Sequence, residues 1–146
     1  AECERMAYDG GHYRLTFDKP GTWSQKYNLV WDKLLGLNIF DTKIAELMEI
    51  PYYLTKQNIY GLPLDSRETY TKTDWIMWTA TMAPDLATFR EFSVPLHKCM
   101  NETIDRAPMS DWVFTDKPNW RGFKARSVVG GYYMKMLEGK LIGNKQ

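Results

Sequence analysis

Residues 71–100 read TKTDWIMWTATMAPDLATFREFSVPLHKCM, and the period of their apolar residues decides the fold class. Trp75, Trp78, Thr79 and Met82 recur at three- and four-residue steps, which places them on one face of a helix. Thr71 stands three residues before Asp74, the spacing of a capping box with aspartate in place of the usual glutamate. Pro84 and Asp85 then mark a second helix start, since proline is welcome in a first turn. Phe89, Phe92, Leu96, Cys99 and Met100 supply the face of that helix, and Pro95 predicts a kink within it. Two helices joined by so short a break read as an antiparallel hairpin.

Working outward, Tyr27, Val30, Trp31, Leu34 and Leu35 fall at helical spacing and stop at Gly36. Ile44, Leu47, Met48, Pro51 and Leu54 continue the pattern from a cap at Asp41 or Thr42, and Pro51 predicts a kink or a division. A last helix carries Val129, Tyr132, Tyr133, Met136 and Leu137. Gly130 and Gly131 lie inside that stretch, where each costs roughly 1 kcal/mol relative to alanine. Close approach of a neighbouring helix is the expected reason for keeping them. Residues 105–124, with two prolines and a glycine, read as a long loop, and HYRLTF at 12–17 is the sole strand-like run. The expectation is an all-α fold: about five main helices in antiparallel hairpins, one helical domain over residues 1–146, under about a tenth strand. A faint echo between TDW at 73–75 and SDW at 110–112 hints at repeated hairpin units.

The totals fit one domain with a core: 146 residues, 44% hydrophobic and 25% charged. A net charge of +1 gives no broad field to attract nucleic acid or an anionic membrane. No apolar run approaches the roughly 20 residues of a membrane span. The opening AECERMAYDGG has the form of neither a signal nor a transit peptide. Cys3, Cys99, His12 and His97 suit no zinc spacing, and neither a metal nor a cofactor motif stands out. A Cys3–Cys99 disulfide is open to an oxidising compartment; two unpaired thiols is the simpler reading. Core packing explains many of the six Trp, nine Tyr and six Phe, but not all need be buried. Aromatic platforms such as Trp75 that stack on a sugar or another flat-faced ligand are the functional alternative.

The acidic candidates are Asp65, Glu68, Asp74 and Asp111, on loops or at the mouth of a helix, where backbone N–H groups face a ligand. Against this, Asp74 also reads as a dipole or capping residue, and Asp65 as a turn residue. Ser66 lacks a nucleophile elbow, which favours a plain hydroxyl hydrogen bond. Arg67 and Arg126 are suited to clamp a carboxylate, with solvated arginine as the competing reading. The segment YGLPLDSRETYTKTDW at 60–75 nevertheless holds more charge than a connector needs. The expectation is a site-forming loop, with Asp65 and Asp74 facing the same end as Asp111 and Arg126.

The stretches TWSQKYNLVWDKLLGLNIF (22–40), YYLTKQNIYGLPLDSRETYTKTDWIMWTATMA (52–83), APMSDWVFTD (107–116) and GFKARSVVGGYYMKML (122–137) resemble the C-terminal helical domain of the glutaminase A family. The family comprises secreted fungal and bacterial proteins. The resemblance implies about half of a six-hairpin α/α toroid from a longer parent chain, an extracellular or periplasmic location, and hydrolysis of the L-glutamine side-chain amide. An isolated piece is expected to be inactive. The resemblance short-lists Asp65, Ser66, Arg67, Asp74, Asp111 and Arg126 without fixing their roles. The expectation is that Asp65, Asp74 and Asp111 are catalytic and that Ser66, Arg67, Trp75 and Arg126 bind substrate. A glycoside hydrolase of the same architecture and a non-catalytic supporting domain are the alternatives, so the small-molecule partner is glutamine or a glycoside. The remainder of the parent chain is the expected protein partner. Consecutive apolar residues at 75–78 want neighbours on several sides, which predicts an apolar surface left for that partner.

Overall fold

The computed structural model describes residues 2–143. In chain order it holds α1 (Glu2–Ala7), α2 (Leu29–Leu35), α3 (Thr42–Ile44), a π-helical turn (Ala45–Glu49) and α4 (Ile50–Leu54). Then follow β1 (Tyr70–Lys72), α5 (Thr73–Thr81), α6 (Leu86–Glu102), β2 (Trp112–Phe114), β3 (Trp120–Gly122), a 3-10 segment (Ser127–Tyr133) and α7 (Met134–Gly143). Helix α5 is the central element, packed by α2, α6, the 3-10 segment and α7. Its Ile76 and Ala80 join Val30, Leu34, Ile50, Tyr53, Leu62, Phe92, Leu96 and Met134 in the main core. Each large side chain buried there contributes about 1.5–3 kcal/mol, so this cluster is what fixes the helices around α5.

Local signals act where the residue types predict, with adjustments that have physical causes. Gly36 ends α2 in the left-handed region (φ 65°), and its N–H bonds back to Asp32 O. Asp41 supplies the cap ahead of α3, its Oδ1 accepting from Lys43 N at 2.9 Å. Pro51 does not divide the next helix, which runs on from Thr42 to Leu54, but it alters the turn ahead of it. It cannot donate to the preceding turn, and that turn widens so that Ile50 N–H reaches Ala45 O, five residues back. Asp85 caps α6 by accepting from Thr88 N at 2.7 Å, which leaves Pro84 outside the first turn rather than in it. Helix α6 runs unbroken through Pro95.

The chain is helical with a small sheet. Residues 105–124 are not the plain loop expected: Trp112–Phe114 and Trp120–Gly122 form a hairpin that also pairs with β1, in the order β1-β2-β3. Aromatic and β-branched side chains suit a half-buried pleat, and Lys117, Pro118 and Asn119 confine the turn formers to the connection. HYRLTF forms no strand; it enters one isolated bridge, Tyr8 to Tyr13.

The expected capping box at Thr71 is absent. Thr71 is buried in β1, its Oγ1 accepting from Gln25 Nε2 at 3.3 Å, and Lys72 precedes α5 without a side-chain cap. The TDW and SDW motifs are not equivalent hairpin units, since one opens a helix and the other a strand. They dock on each other through Thr73 N to Asp111 O at 2.9 Å. Residues 75–78 also find their neighbours within this chain: Ile76 is fully buried, Trp75 stacks on Tyr27, and Trp78 meets Tyr27 and Trp31 edge-on. The exposed large apolar residues lie elsewhere in the sequence, among them Leu35, Leu37, Ile39, Phe40 and Leu47 from the end of α2 to the π-helical turn, and Val94 and Ile104 near α6.

Candidate functional site

At the β1–α5 junction the chain turns from a strand into a helix, and pairing of β1 with β2 sets Lys72 opposite Trp112. That register brings Asp111 alongside the first turn of α5. Lys72 Nζ donates to Asp111 Oδ2 at 2.8 Å, and Arg126 Nη1 reaches the same oxygen at 3.3 Å. Both carboxylates are buried, Asp74 at 4% and Asp111 at 1% exposure. Oδ1 of each lies buried without a hydrogen-bond partner. Burial, and then the like charge of Asp111, push the Asp74 carboxyl above the usual aspartate range, against hydrogen bonds from its own backbone N–H and that of Trp75. Unpartnered buried oxygens cost free energy, so this junction holds unused bonding capacity.

The surroundings of the pair are aromatic and cationic. Lys72 Nζ lies 4.3 Å from the Phe123 ring centre and 5.0 Å from that of Trp112; Arg126 sits 4.5 Å over Phe123. Tyr132 donates its hydroxyl to Thr73 Oγ1 at 2.7 Å, and burial pushes that phenol up to about 12. Gly131 passes directly over α5. A Cβ there would come within 2.8 Å of both Asp74 Cβ and Trp78 Nε1.

Asp65, Ser66 and Arg67 form a second group. Arg67 grips Asp65 through Nε to Oδ1 at 2.9 Å and Nη2 to Oδ2 at 2.7 Å, and its backbone N–H donates to Oδ1 at 2.9 Å. Burial raises the Asp65 carboxyl, but these bonds outweigh it and hold the group below the usual range. Ser66 makes the plain hydroxyl bond expected, Oγ accepting from Trp23 N at 3.2 Å, while its N–H donates to Trp23 O. Asp65 and Arg67 line an open groove of about 510 Å³ with Gln25, Lys26, Tyr27 and Trp75. Trp75 stacks on Tyr27 with ring centres 4.2 Å apart. Glu68 is exposed.

The structure therefore gathers Asp74, Asp111 and Arg126, and sets Asp65, Ser66 and Arg67 apart from them. Among the described residues no hydrogen bond or ion pair joins the two groups. Trp75, adjacent in sequence to Asp74, lines the groove together with Asp65 and Arg67. Lys72 and Tyr132 belong with the acid pair, although neither stood on the short list. Lys72 was readable as surplus charge in the 60–75 segment, whereas nothing local to Tyr132 announced its bond to Thr73. Lys26 was missed too. Its Nζ is held by Ser24 Oγ at 2.6 Å and the carbonyls of Arg14 and Ser24, and burial lowers its affinity for the proton.

Among the described residues no helix is long and apolar enough to cross a membrane. The chain is 33% identical over 138 residues to glutaminase A of Aspergillus oryzae, covering 90% of this chain and 20% of that protein. It is 32% identical over 170 aligned positions to a protein of Arthroderma benhamiae named "Probable glutaminase", covering 94% and 19%. The chain thus spans about a fifth of the length of these relatives. No solved structure matches significantly. Residues 1–136 match the model of the glutaminase A six helical-hairpin domain, and the chain belongs to that family.

Proposed function

We propose that this chain is the C-terminal part of a secreted amidohydrolase that converts L-glutamine and water to L-glutamate and ammonia, and that it completes an α/α toroid with the rest of its parent. The observation that carries the reading is the buried pair Asp74–Asp111, each with an unpartnered oxygen, beside Lys72 and Arg126. Amide hydrolysis needs a base for the attacking water and an acid for the leaving nitrogen. Asp111 takes the water proton as oxygen attacks the side-chain carbonyl carbon. Asp74, whose carboxyl is pushed up by burial, returns a proton to the amide nitrogen as the C–N bond breaks and ammonia leaves. Arg126, whose side chain is 41% exposed, is free to turn toward the substrate α-carboxylate. Trp75, which follows Asp74 in sequence, lines a groove with Lys26 and Tyr27, and that groove is the proposed approach for substrate.

The test is turnover by the full-length parent on L-glutamine and on a panel of glycosides. Ammonia release that falls at least a hundredfold in Asp74→Asn and Asp111→Asn supports the reading. Sugar release, or full activity in both variants, overturns it.

A further inference from the structure

Residues 101–103 read Asn-Glu-Thr, and we infer that Asn101 is an acceptor for an N-linked glycan. The inference rests on the secreted location proposed above and on entry through a eukaryotic secretory lumen. Both curated relatives are fungal.

The structure adds what the three letters cannot. Asn101 lies in the last turn of α6 and is exposed, and Thr103, the residue after the helix, turns the chain out of it (ψ 137°). Asn101 Nδ2 donates to His97 O at 3.0 Å. A glycosylated amide keeps one N–H, enough for a single bond of this kind. Thr103 is buried, its Oγ1 accepting from Asp105 N at 3.1 Å. Transfer precedes folding, so the fold must only leave room for the product, and it does: Asn101 and its neighbours His97, Glu102 and Ile104 are all exposed.

A second observation points to a cover over this face. Ile104 is 86% exposed, the highest value among the exposed large apolar residues, and Val94, two turns before Asn101 on α6, is 59% exposed. Both flank the acceptor. Oligosaccharides carry apolar faces as well as hydroxyls, and one rooted at Asn101 would shield these side chains from water and from other chains. The amide nitrogen of Asn101 bonds to C1 of the first sugar of a polyisoprenyl-diphosphate-linked oligosaccharide. The C1–oxygen bond breaks, the lipid diphosphate leaves with that electron pair, and the transferase takes one amide proton.

The experiment is secretion of the full-length parent, with its own N-terminus, from a fungal host. Medium and cells are both collected, and the peptide spanning Asn101 is mapped by mass before and after peptide-N-glycosidase. The expected result is protein in the medium whose peptide carries hexose and N-acetylhexosamine mass and, after enzyme, aspartate at position 101 (a gain of about 1 Da). Asn101→Gln removes that mass with turnover on glutamine unchanged. Secreted protein with an unmodified Asn101 overturns this inference alone. Protein found only inside the cells, with Asn101 unmodified, overturns the secreted reading along with it.

Discussion

Lys72 Nζ stands 2.8 Å from Oδ2 of Asp111, reaching across the β1–β2 ladder and over the faces of Trp112 and Phe123. The pair ties the start of α5 to the hairpin, because Thr73 N also bonds to Asp111 O. Its partners are unequal: the Lys72 side chain is 12% exposed and lies closer than Arg126. Losing the buried, closer partner leaves Asp111 held only by the longer contact to the half-exposed Arg126. That loss approaches the about 3 kcal/mol of a broken buried pair, whereas a half-exposed contact is worth under about 1 kcal/mol. Lys72→Ala is therefore expected to destabilise the full-length protein by roughly 3 kcal/mol and Arg126→Ala by less than about 1 kcal/mol, read from urea midpoints. Equal losses would contradict this ranking.

Asp74 and Asp65 should respond to pH with opposite signs. Burial and Asp111 raise the folded-state value of Asp74. Between the ordinary aspartate value, about 4, and that raised value, the folded state binds the extra proton. Asp74 therefore favours folding fully below about 4, and the benefit is lost as pH rises through the folded value. Asp65 is held low by Arg67, so its contribution is present above about 4 and lost as pH falls. At pH 7, Asp74→Asn is expected to match or exceed the parent in melting temperature, while Asp65→Asn melts lower. The same direction of shift in both variants would refute the assignment.

Helices α2, α5 and α6 were legible because each carries a local cause: a 3.6-residue apolar period, with Gly36 as a stop and Asp85 as a cap. Asp41 likewise marked the start of α3. The last helix starts later than its apolar period predicts, since the stretch from Val129 to Tyr133 is 3-10 and the α-helix begins at Met134. The hairpin was not, since three-residue strands are too short to show a period, and their pairing with β1 spans about 40 residues of sequence. For the same reason the acids were findable but their grouping was not. Asp65 and Asp74 lie nine positions apart, yet Asp65 is bound by its own loop, while Asp74 meets Asp111 through a strand register that only the folded sheet defines.

Burial decides the reactivity of the two cysteines. Cys3 is exposed and Cys99 buried, both unpaired, and burial raises the Cys99 thiol to about 11. The thiolate is the nucleophile, so at pH 8 Cys99 presents almost none of it. Brief treatment with iodoacetamide at that pH should alkylate Cys3 and leave Cys99 intact until denaturant is added, as read from peptide masses. Rapid labelling of Cys99 in the native protein would show that the α6 core opens readily.

The two glycines of SVVGGYY give the sharpest packing test. Both lie in the 3-10 segment over α5, yet only one is constrained. A methyl at Gly131 would come within 2.8 Å of Asp74 Cβ and of Trp78 Nε1, and neither α5 nor the Trp78 ring, wedged against Tyr27 and Trp31, can give way cheaply. A methyl at Gly130 meets nothing within 4 Å. Overpacking costs about 1–3 kcal/mol, while an unobstructed glycine-to-alanine change gains about 0.4–1 kcal/mol by narrowing the unfolded ensemble. Gly131→Ala is thus expected to lower the melting temperature and, by displacing Asp74, turnover as well; Gly130→Ala should leave turnover unchanged and raise the melting temperature slightly. If the two substitutions behave alike, the 3-10 segment does not seat on α5 through Gly131, and the wall over the acid pair is formed by something else.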